Sequence, residues 1–124
     1  IECISRGAKK VTFIEKDKSA IKVLQQNLFH LSIYNKSIIY NGKIEDELET
    51  KINDKFNFFF FDPPFKDNNF VENLKLIKKK KFFLPKHLVI IHRERKTFDD
   101  LEKIIKIVDV KQYCRSKLIF GFFN

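Results

Sequence analysis

Methionine and tryptophan are absent from the 124 residues, and the chain has only two cysteines, three glycines and three prolines. The two cysteines, Cys3 and Cys114, lie far apart, and neither has a second cysteine at metal-ligand spacing. This argues against a disulfide framework and against a zinc site, so we expect no metal. With so few glycines, no Gly/Ser-rich linker divides the chain.

Long hydrophobic runs are also missing. Runs such as Phe58 to Phe61 fall far short of the roughly 20 apolar residues that span a bilayer. We therefore expect no membrane partner. Because no secretory leader precedes these runs and the cysteines are few, we expect a protein of the reducing cytoplasm.

The length and the 44% hydrophobic content suit a single packed domain and leave too little chain for two. The first residue is Ile1 rather than methionine, and Ile1 to Ile4 already has the pattern of a helix. We therefore expect residues 1–124 to be part of one domain, a fragment that begins inside a structural element and acts as a monomer.

Positive charge is in excess, with 25 Lys and Arg against 16 Asp and Glu and a net charge of +9. Such an excess favours a polyanionic partner such as nucleic acid. The alternative is codon bias, since an AT-rich coding sequence also gives much Lys, Ile, Asn and Phe. The charge therefore supports RNA binding without proving it.

Strand-like and helix-like runs alternate along the chain, which is typical of an α/β fold with a mostly parallel sheet and helices on both faces. Gly7 is placed to end the first helix, and Asp17 or Ser19 to cap the second. The predicted strands cover 11–14, 37–40, 56–61 and 88–91, and the predicted helices 1–6, 20–31, 44–51 and 70–77.

The last third of the chain predicts one more helix and then a hairpin. Thr97 is the predicted helix cap, with Asp99 and Asp100 in the first turn. Leu101, Ile104 and Ile105 would face inward. Two apolar stretches at 108–114 and 118–123, only three residues apart, predict the antiparallel hairpin.

The tetrapeptide Asp62-Pro63-Pro64-Phe65 follows the most hydrophobic predicted strand. Ligands of open parallel sheets lie at the carboxyl ends of the strands. The Asp62 carboxylate and the Pro63 carbonyl can accept the two hydrogens of an exocyclic base amine, the prolines stiffen the backbone, and Phe65 can stack on the base. The alternative is that Pro-Pro merely ends a strand and Phe65 fills the core. That alternative would be about as probable if the tetrapeptide did not directly follow an apolar strand.

Glu15 ends an earlier predicted strand, where a carboxylate can accept hydrogen bonds from the ribose hydroxyls of a nucleoside cofactor, although many such acids are only solvated. Lys43 and Ile44, after the Asn41-Gly42 turn, occupy a position where backbone and an apolar wall can meet an adenine ring. An ordinary surface loop is the alternative for both.

Other polar residues have plainer interpretations. His92 and Arg93 follow the strand at 88–91 and could meet phosphate or base, but we interpret them as a charged strand end. His87 has no triad partner or metal spacing and is expected to be structural. The lysine run at 78–81 is typical of a solvated helix end, with phosphate contact second.

Three stretches together resemble the RsmD-type family of bacterial methyltransferases, which modify the exocyclic amine of a guanine in small-subunit ribosomal RNA. They are 1–8 (IECISRGA), 11–17 (VTFIEKD) and 58–65 (FFFFDPPF). The resemblance implies a seven-stranded Rossmann-like fold, S-adenosylmethionine as cofactor, and ribosomal RNA or the small ribosomal subunit as partner. It implies Glu15 on the cofactor ribose and Asp62 to Phe65 as the catalytic loop. Together with the positions after the Asn41-Gly42 turn, this gives Glu15, Lys43, Ile44 and Asp62 as the expected cofactor-binding residues.

This resemblance has two departures. The family's first strand and its glycine-rich loop would precede Ile1, so we expect the fragment alone to be inactive and poorly stable. At His92-Arg93 we would expect an acidic or neutral residue.

Two other functions stay open. The Asp-Pro-Pro-Phe loop is shared with adenine-N6 methyltransferases of DNA and RNA, so the loop supports amino methylation better than it supports guanine. A basic, non-catalytic RNA-binding α/β domain would explain the charge but not the acids at the strand ends.

Overall fold

The computed structural model describes all residues, 1–124, as two compact units, Ile1–Ile52 and Asn53–Asn124. The elements of the first unit are α1 (Glu2–Ser5), β1 (Val11–Glu15), α2 (Lys18–His30), β2 (Ser37–Asn41) and α3 (Ile44–Thr50). Those of the second unit are β3 (Phe56–Phe61), α4 (Asn69–Lys80), β4 (Phe83–Glu94), β5 (Ile105–Tyr113) and β6 (Ser116–Phe123). The alternation predicted from the sequence is confirmed as far as β4.

In the first unit β1 and β2 form a two-stranded parallel sheet, and α2 is the crossover between them. The predicted cap is confirmed as Asp17, whose carboxylate accepts hydrogen bonds from the amides of Ser19 and Ala20 at 2.8 and 3.3 Å. These bonds satisfy two of the amides that every helix start leaves unpaired. Gly7 ends α1 with φ of +100°, a conformation that favours glycine.

The second unit holds a four-stranded sheet in the order β3-β4-β6-β5. The β3–β4 pairing is parallel with α4 as the crossover, and the other two pairings are antiparallel. The apolar stripe of α4 is buried, as its spacing predicted, and the core includes Phe70, Leu74, Ile77, Val89 and Ile91. The carboxyl ends of β3 and β4 therefore lie side by side.

The predicted C-terminal hairpin is confirmed as β5 and β6. Gly121 of β6 pairs with Val89 on one side and Ile107 on the other. A Cβ atom at Gly121 would lie 2.6 Å from the Lys106 carbonyl oxygen, which is closer than van der Waals contact allows. The close approach of the hairpin backbone thus requires glycine here.

The helix predicted after Thr97 is wrong, because the chain from Thr97 to Leu101 is irregular and only one turn precedes β5. Thr97 Oγ1 donates back to the Glu94 carbonyl instead of capping a helix, and the Asp99 carboxylate is engaged by Arg93. Tertiary contacts of the polar groups therefore override the helical pattern. Leu101, Ile104 and Ile105 are buried as predicted, but from a turn and a strand.

The observed strands differ from the predicted layout in two respects. The predicted strand at 88–91 extends over twelve residues, with a register shift between its pairings to Phe56 and Phe58. The six strands form two separate sheets, with β1 and β3 in different ones, whereas the family resemblance implies one seven-stranded sheet.

No helix combines the length and the hydrophobicity that a bilayer crossing requires.

Candidate functional site

The loop Asp62 to Phe65 begins where β3 ends, because the two prolines cannot donate to the sheet. β3 and β4 are parallel, and their last paired residues are Phe61 and Ile91. The next residues along the two strands, Asp62 and His92, consequently stand beside each other at the same end of the sheet.

His92 and Asp62 are hydrogen bonded, with 2.8 Å between Nδ1 and Oδ1. An ionised carboxylate only accepts hydrogen bonds, so the proton of this bond belongs to Nδ1 of the imidazole. The His92 ring also meets the Phe65 ring edge to face at 5.8 Å between centroids. One histidine thus contacts both the first and the last residue of the loop.

The loop and His92 line an open cavity of about 330 Å³. The Asp62 side chain is 60% exposed, and Phe65 is 40% exposed rather than packed in the core. An exposed aromatic ring beside an exposed carboxylate suits stacking on a planar base whose amine meets the carboxylate. The structure therefore brings Asp62, Pro63, Pro64 and Phe65 together at one cavity.

Arg93, the residue after His92, is only 1% exposed, so its interpretation as a charged strand end is wrong. Its guanidinium binds the Asp99 carboxylate twice, with Nε to Oδ2 at 2.9 Å and Nη2 to Oδ1 at 3.2 Å. It also lies over the Phe70 ring at 4.6 Å from the centroid. A buried charge needs such partners, because they offset the free energy that its desolvation costs.

Arg93 also holds the loop. Its Nη1 donates to the Pro64 carbonyl oxygen at 3.1 Å, and the amide of Asp67 donates to the same oxygen at 2.8 Å. The Pro64 carbonyl is therefore occupied, whereas the Pro63 carbonyl accepts no hydrogen bond within the chain. This leaves the Pro63 carbonyl free for a ligand.

In the first unit, Glu15 is the last residue of β1 and is half-buried. Its Oε1 accepts hydrogen bonds from the amides of Lys16 and Asp17 at 2.8 and 2.9 Å. Both bonds go to one oxygen, so the carboxylate is fixed in orientation while Oε2 stays available. This geometry fits a ligand that offers hydroxyl donors, as a ribose does.

The same end of the two-stranded sheet carries Lys43 and Ile44. The amide of Gly42 donates to the Glu15 carbonyl at 3.0 Å, which places the turn after β2 next to the end of β1. Lys43 is the N-cap of α3 and is exposed, and Ile44, the first helical residue, is half-buried. Glu15, Lys43 and Ile44 therefore lie at one edge, as an adenosine site would require.

Glu47 is a buried acid that the sequence did not single out, with 4% exposure. Its Oε1 is 3.1 Å from the Lys51 ammonium, and its Oε2 is buried without a partner. A Cβ atom on Gly42 would overlap its carboxylate, at 2.2 Å from Oε1. The spacing of Glu47 and Lys51, four residues apart on a helix, was the only signal for this contact.

His87 and Lys78 make contacts within the fold. His87 Nδ1 lies 2.7 Å from the Leu84 carbonyl and Nε2 accepts from the Phe123 amide, so the structural interpretation of His87 is supported. The lysines at 78–81 end α4, where Lys78 binds the Lys103 carbonyl and the Asn124 side chain. A shallow depression along α2 is lined by Ser19, Ala20, Val23, Leu24 and Asn27 and has no titratable group for chemistry.

Comparison with known proteins identifies relatives of the chain. The chain is 30% identical over 96 residues to the ribosomal RNA small subunit methyltransferase D of Buchnera aphidicola from Acyrthosiphon pisum, covering 77% of the chain and 50% of that protein. The same-named protein of Haemophilus influenzae is 29% identical, over 76% of the chain and 50% of that protein. The chain thus spans about half the length of the curated relatives it matches.

A solved structure gives the same answer for the fold. A proposed methylase from Haemophilus influenzae superimposes with a TM-score of 0.83 at 27% identity, covering 98% of this chain and 77% of that one. The Rossmann-like methyltransferase fold predicted from the sequence is confirmed. The sequence model described as "conserved hypothetical protein 95" matches residues 1–121. The chain therefore belongs to this conserved hypothetical protein 95 family, and its recognition as an RsmD-type protein is confirmed.

Proposed function

We propose that the protein containing this chain transfers a methyl group from S-adenosylmethionine to the exocyclic N2 amine of a guanine in small-subunit ribosomal RNA. The observation that carries the proposal is the cavity at the end of β3, where a carboxylate, a free backbone carbonyl and an exposed aromatic ring meet. The names of the relatives support ribosomal RNA as the substrate. The net charge of +9 suits a polyanionic substrate as well.

Methyl transfer to an amine is chiefly a positioning problem. S-adenosylmethionine supplies an electrophilic methyl group on a sulfonium sulfur. The chain has to turn the amine lone pair toward that methyl group, and two acceptors on the two amine hydrogens do this. Asp62 Oδ2 and the Pro63 carbonyl are the two acceptors, and neither is used by another group of the chain.

The loop keeps these acceptors in place because two hydrogen bonds and its own prolines hold it. His92 binds Asp62, Arg93 binds the Pro64 carbonyl, and the prolines restrict the backbone between them. Phe65 provides the face on which the base stacks. Pre-organised acceptors cost little free energy of reorganisation when the substrate binds, which favours a reactive geometry.

For the cofactor, Glu15 Oε2 would accept hydrogen bonds from the ribose hydroxyls. Lys43 would present its backbone to the adenine, and Ile44 would pack against the ring. The residues of the first unit fit such a group, because Glu15 is fixed through one oxygen and open at the other.

Nucleoside analysis of the product tests the proposal. Small-subunit ribosomal RNA is incubated with the full-length protein and labelled S-adenosylmethionine, and is then digested to nucleosides. We expect the label in N2-methylguanosine. Label in N6-methyladenosine would instead show an adenine enzyme, and RNA binding without any transfer would show a non-catalytic RNA-binding domain.

A further inference from the structure

His92, which the sequence predicts as part of a charged strand end, lines the same cavity as the loop. It belongs to the pair His92-Arg93, at which the chain departs from the acidic or neutral residue expected there. Its side chain is 30% exposed, so the ring is reachable by a ligand. The bond to Asp62 and the contact with Phe65 fix the plane and position of the ring.

The hydrogen bond to Asp62 decides the tautomer of His92. Because Nδ1 carries the proton that the carboxylate accepts, the neutral ring has a bare lone pair on Nε2. Nε2 accepts no hydrogen bond from the chain, in contrast to Nε2 of His87, which accepts from the Phe123 amide. When the His92 ring is neutral, the residues that line the cavity therefore offer three free acceptors: Asp62 Oδ2, the Pro63 carbonyl and His92 Nε2.

A cavity that offers only acceptors selects among bases. Beside its N2 amine, guanine carries the ring N1–H, a further donor. Adenine carries a lone pair on N1 beside its N6 amine, and that lone pair would face another acceptor. The mismatch costs a hydrogen bond and adds repulsion between lone pairs.

We propose that His92 is a specificity-determining residue, whose Nε2 accepts the N1–H of guanine while Asp62 holds the neighbouring amine. The inference rests on the proposed function and adds the means by which guanine is chosen over adenine. The shared Asp-Pro-Pro-Phe loop does not distinguish guanine from adenine, whereas His92 does.

The test uses full-length protein and synthetic RNA in which the modified guanine is replaced by 2,6-diaminopurine. This base keeps the 2-amino group but has a lone pair at N1. For the wild-type protein we expect kcat/KM to be about 10- to 100-fold higher for guanine, the factor that one lost hydrogen bond at a desolvated site gives. In His92→Leu the preference should fall to within about threefold, since the N1 partner is gone.

The preference ratio separates specificity from a merely structural role. If His92→Leu lowers both rates by the same factor and keeps the ratio, His92 only supports Asp62 and the inference is overturned. His92→Asn is the matched variant, because its amide can still donate to Asp62 in place of Nδ1 while no atom reaches the position of Nε2; we expect it to keep more of the rate than His92→Leu and still to lose the preference.

A second measurement does not depend on activity. Nitrogen-15 shifts of His92 in the full-length protein at pH 8 should show a protonated Nδ1 and a bare Nε2. The opposite tautomer would overturn the inference. If the wild-type protein methylates neither base while the expected tautomer is seen, the proposed function fails instead, and the failures are thus distinguishable.

Discussion

Arg93 donates a hydrogen bond from Nη1 to the carbonyl oxygen of Pro64, 3.1 Å away. The same guanidinium is bound on its other edge by the Asp99 carboxylate and covered by the Phe70 ring. A fully buried cation thus joins the strand β4, the loop after β3 and the segment before β5. The ion pair of Arg93 and Asp99 therefore holds the loop Asp62 to Phe65 through the Pro64 carbonyl.

Removing one partner of this ion pair should destabilise the protein strongly. Asp99→Ala leaves the Arg93 charge buried without its carboxylate, and we expect a loss of about 3–5 kcal/mol in the free energy of unfolding. Replacing both residues by apolar ones, in Arg93→Met with Asp99→Leu, should cost much less because no charge stays buried. Urea denaturation of the full-length protein measures both.

Asp100→Asn is the control for this experiment. Asp100 is the exposed neighbour of Asp99, so its change should stay within about 0.5 kcal/mol. Equal stability of Asp99→Ala and Asp100→Asn would contradict the structural role of the ion pair.

Much of the fold could be predicted from the sequence, because the elements are strongly patterned. Phe56–Phe61 was predicted to the residue, since the apolar run ends abruptly at two prolines. The Asp17 cap and the hairpin had equally local signals. The helix predicted after Thr97 also rests on local signals, but it is absent. Asp99 has the chemistry of a helix start, but Arg93 competes for its carboxylate, and no local pattern reveals that competition.

In the candidate site, too, some residues have local sequence signals and others depend on tertiary contacts. Asp62 and Glu15 could be found because each directly follows an apolar run of residues in the sequence. The roles of His92 and Arg93 could not, since they depend on the pairing of β3 with β4, which brings residues 30 positions apart into contact. Adjacent strand residues point to opposite faces, so one of the pair meets the cavity and the other the core.

The Asp17 cap should make stability depend on pH. The hydroxyl of Ser19, followed by the amides of Ser19 and Ala20, holds the pKa of Asp17 below its ordinary value. A lowered folded-state pKa means that the contribution is present above the ordinary pKa and is lost as pH falls through the folded value. Asp17→Asn keeps a capping oxygen but cannot titrate.

We therefore expect wild type to exceed Asp17→Asn in melting temperature at pH 6 and to lose this advantage as pH falls below about 4. Thermal melts of the two proteins across this range measure the difference. A difference that stays constant down to pH 3 would show that the charge on Asp17 does not contribute.

Glu15 offers a test of cofactor binding. Glu15→Gln keeps an oxygen for the amides of Lys16 and Asp17 but loses the charge that strengthens bonds to ribose hydroxyls. We expect the affinity for S-adenosylmethionine to fall about tenfold, as for the loss of one charge-assisted hydrogen bond. Calorimetry on the full-length protein measures it, with the exposed Glu45→Gln as the control. Equal affinities in the two variants would remove Glu15 from the cofactor site.

The variant Asp62→Ala tests whether the loop after β3 positions the amine that is methylated. The measurement is the rate of methyl transfer to small-subunit ribosomal RNA by the full-length variant, with its melting temperature and cofactor affinity determined alongside. Loss of a positioning acceptor should lower the rate by about a hundredfold or more, while the melting temperature changes little and the cofactor affinity falls by a far smaller factor. Transfer by Asp62→Ala at the wild-type rate would contradict the account.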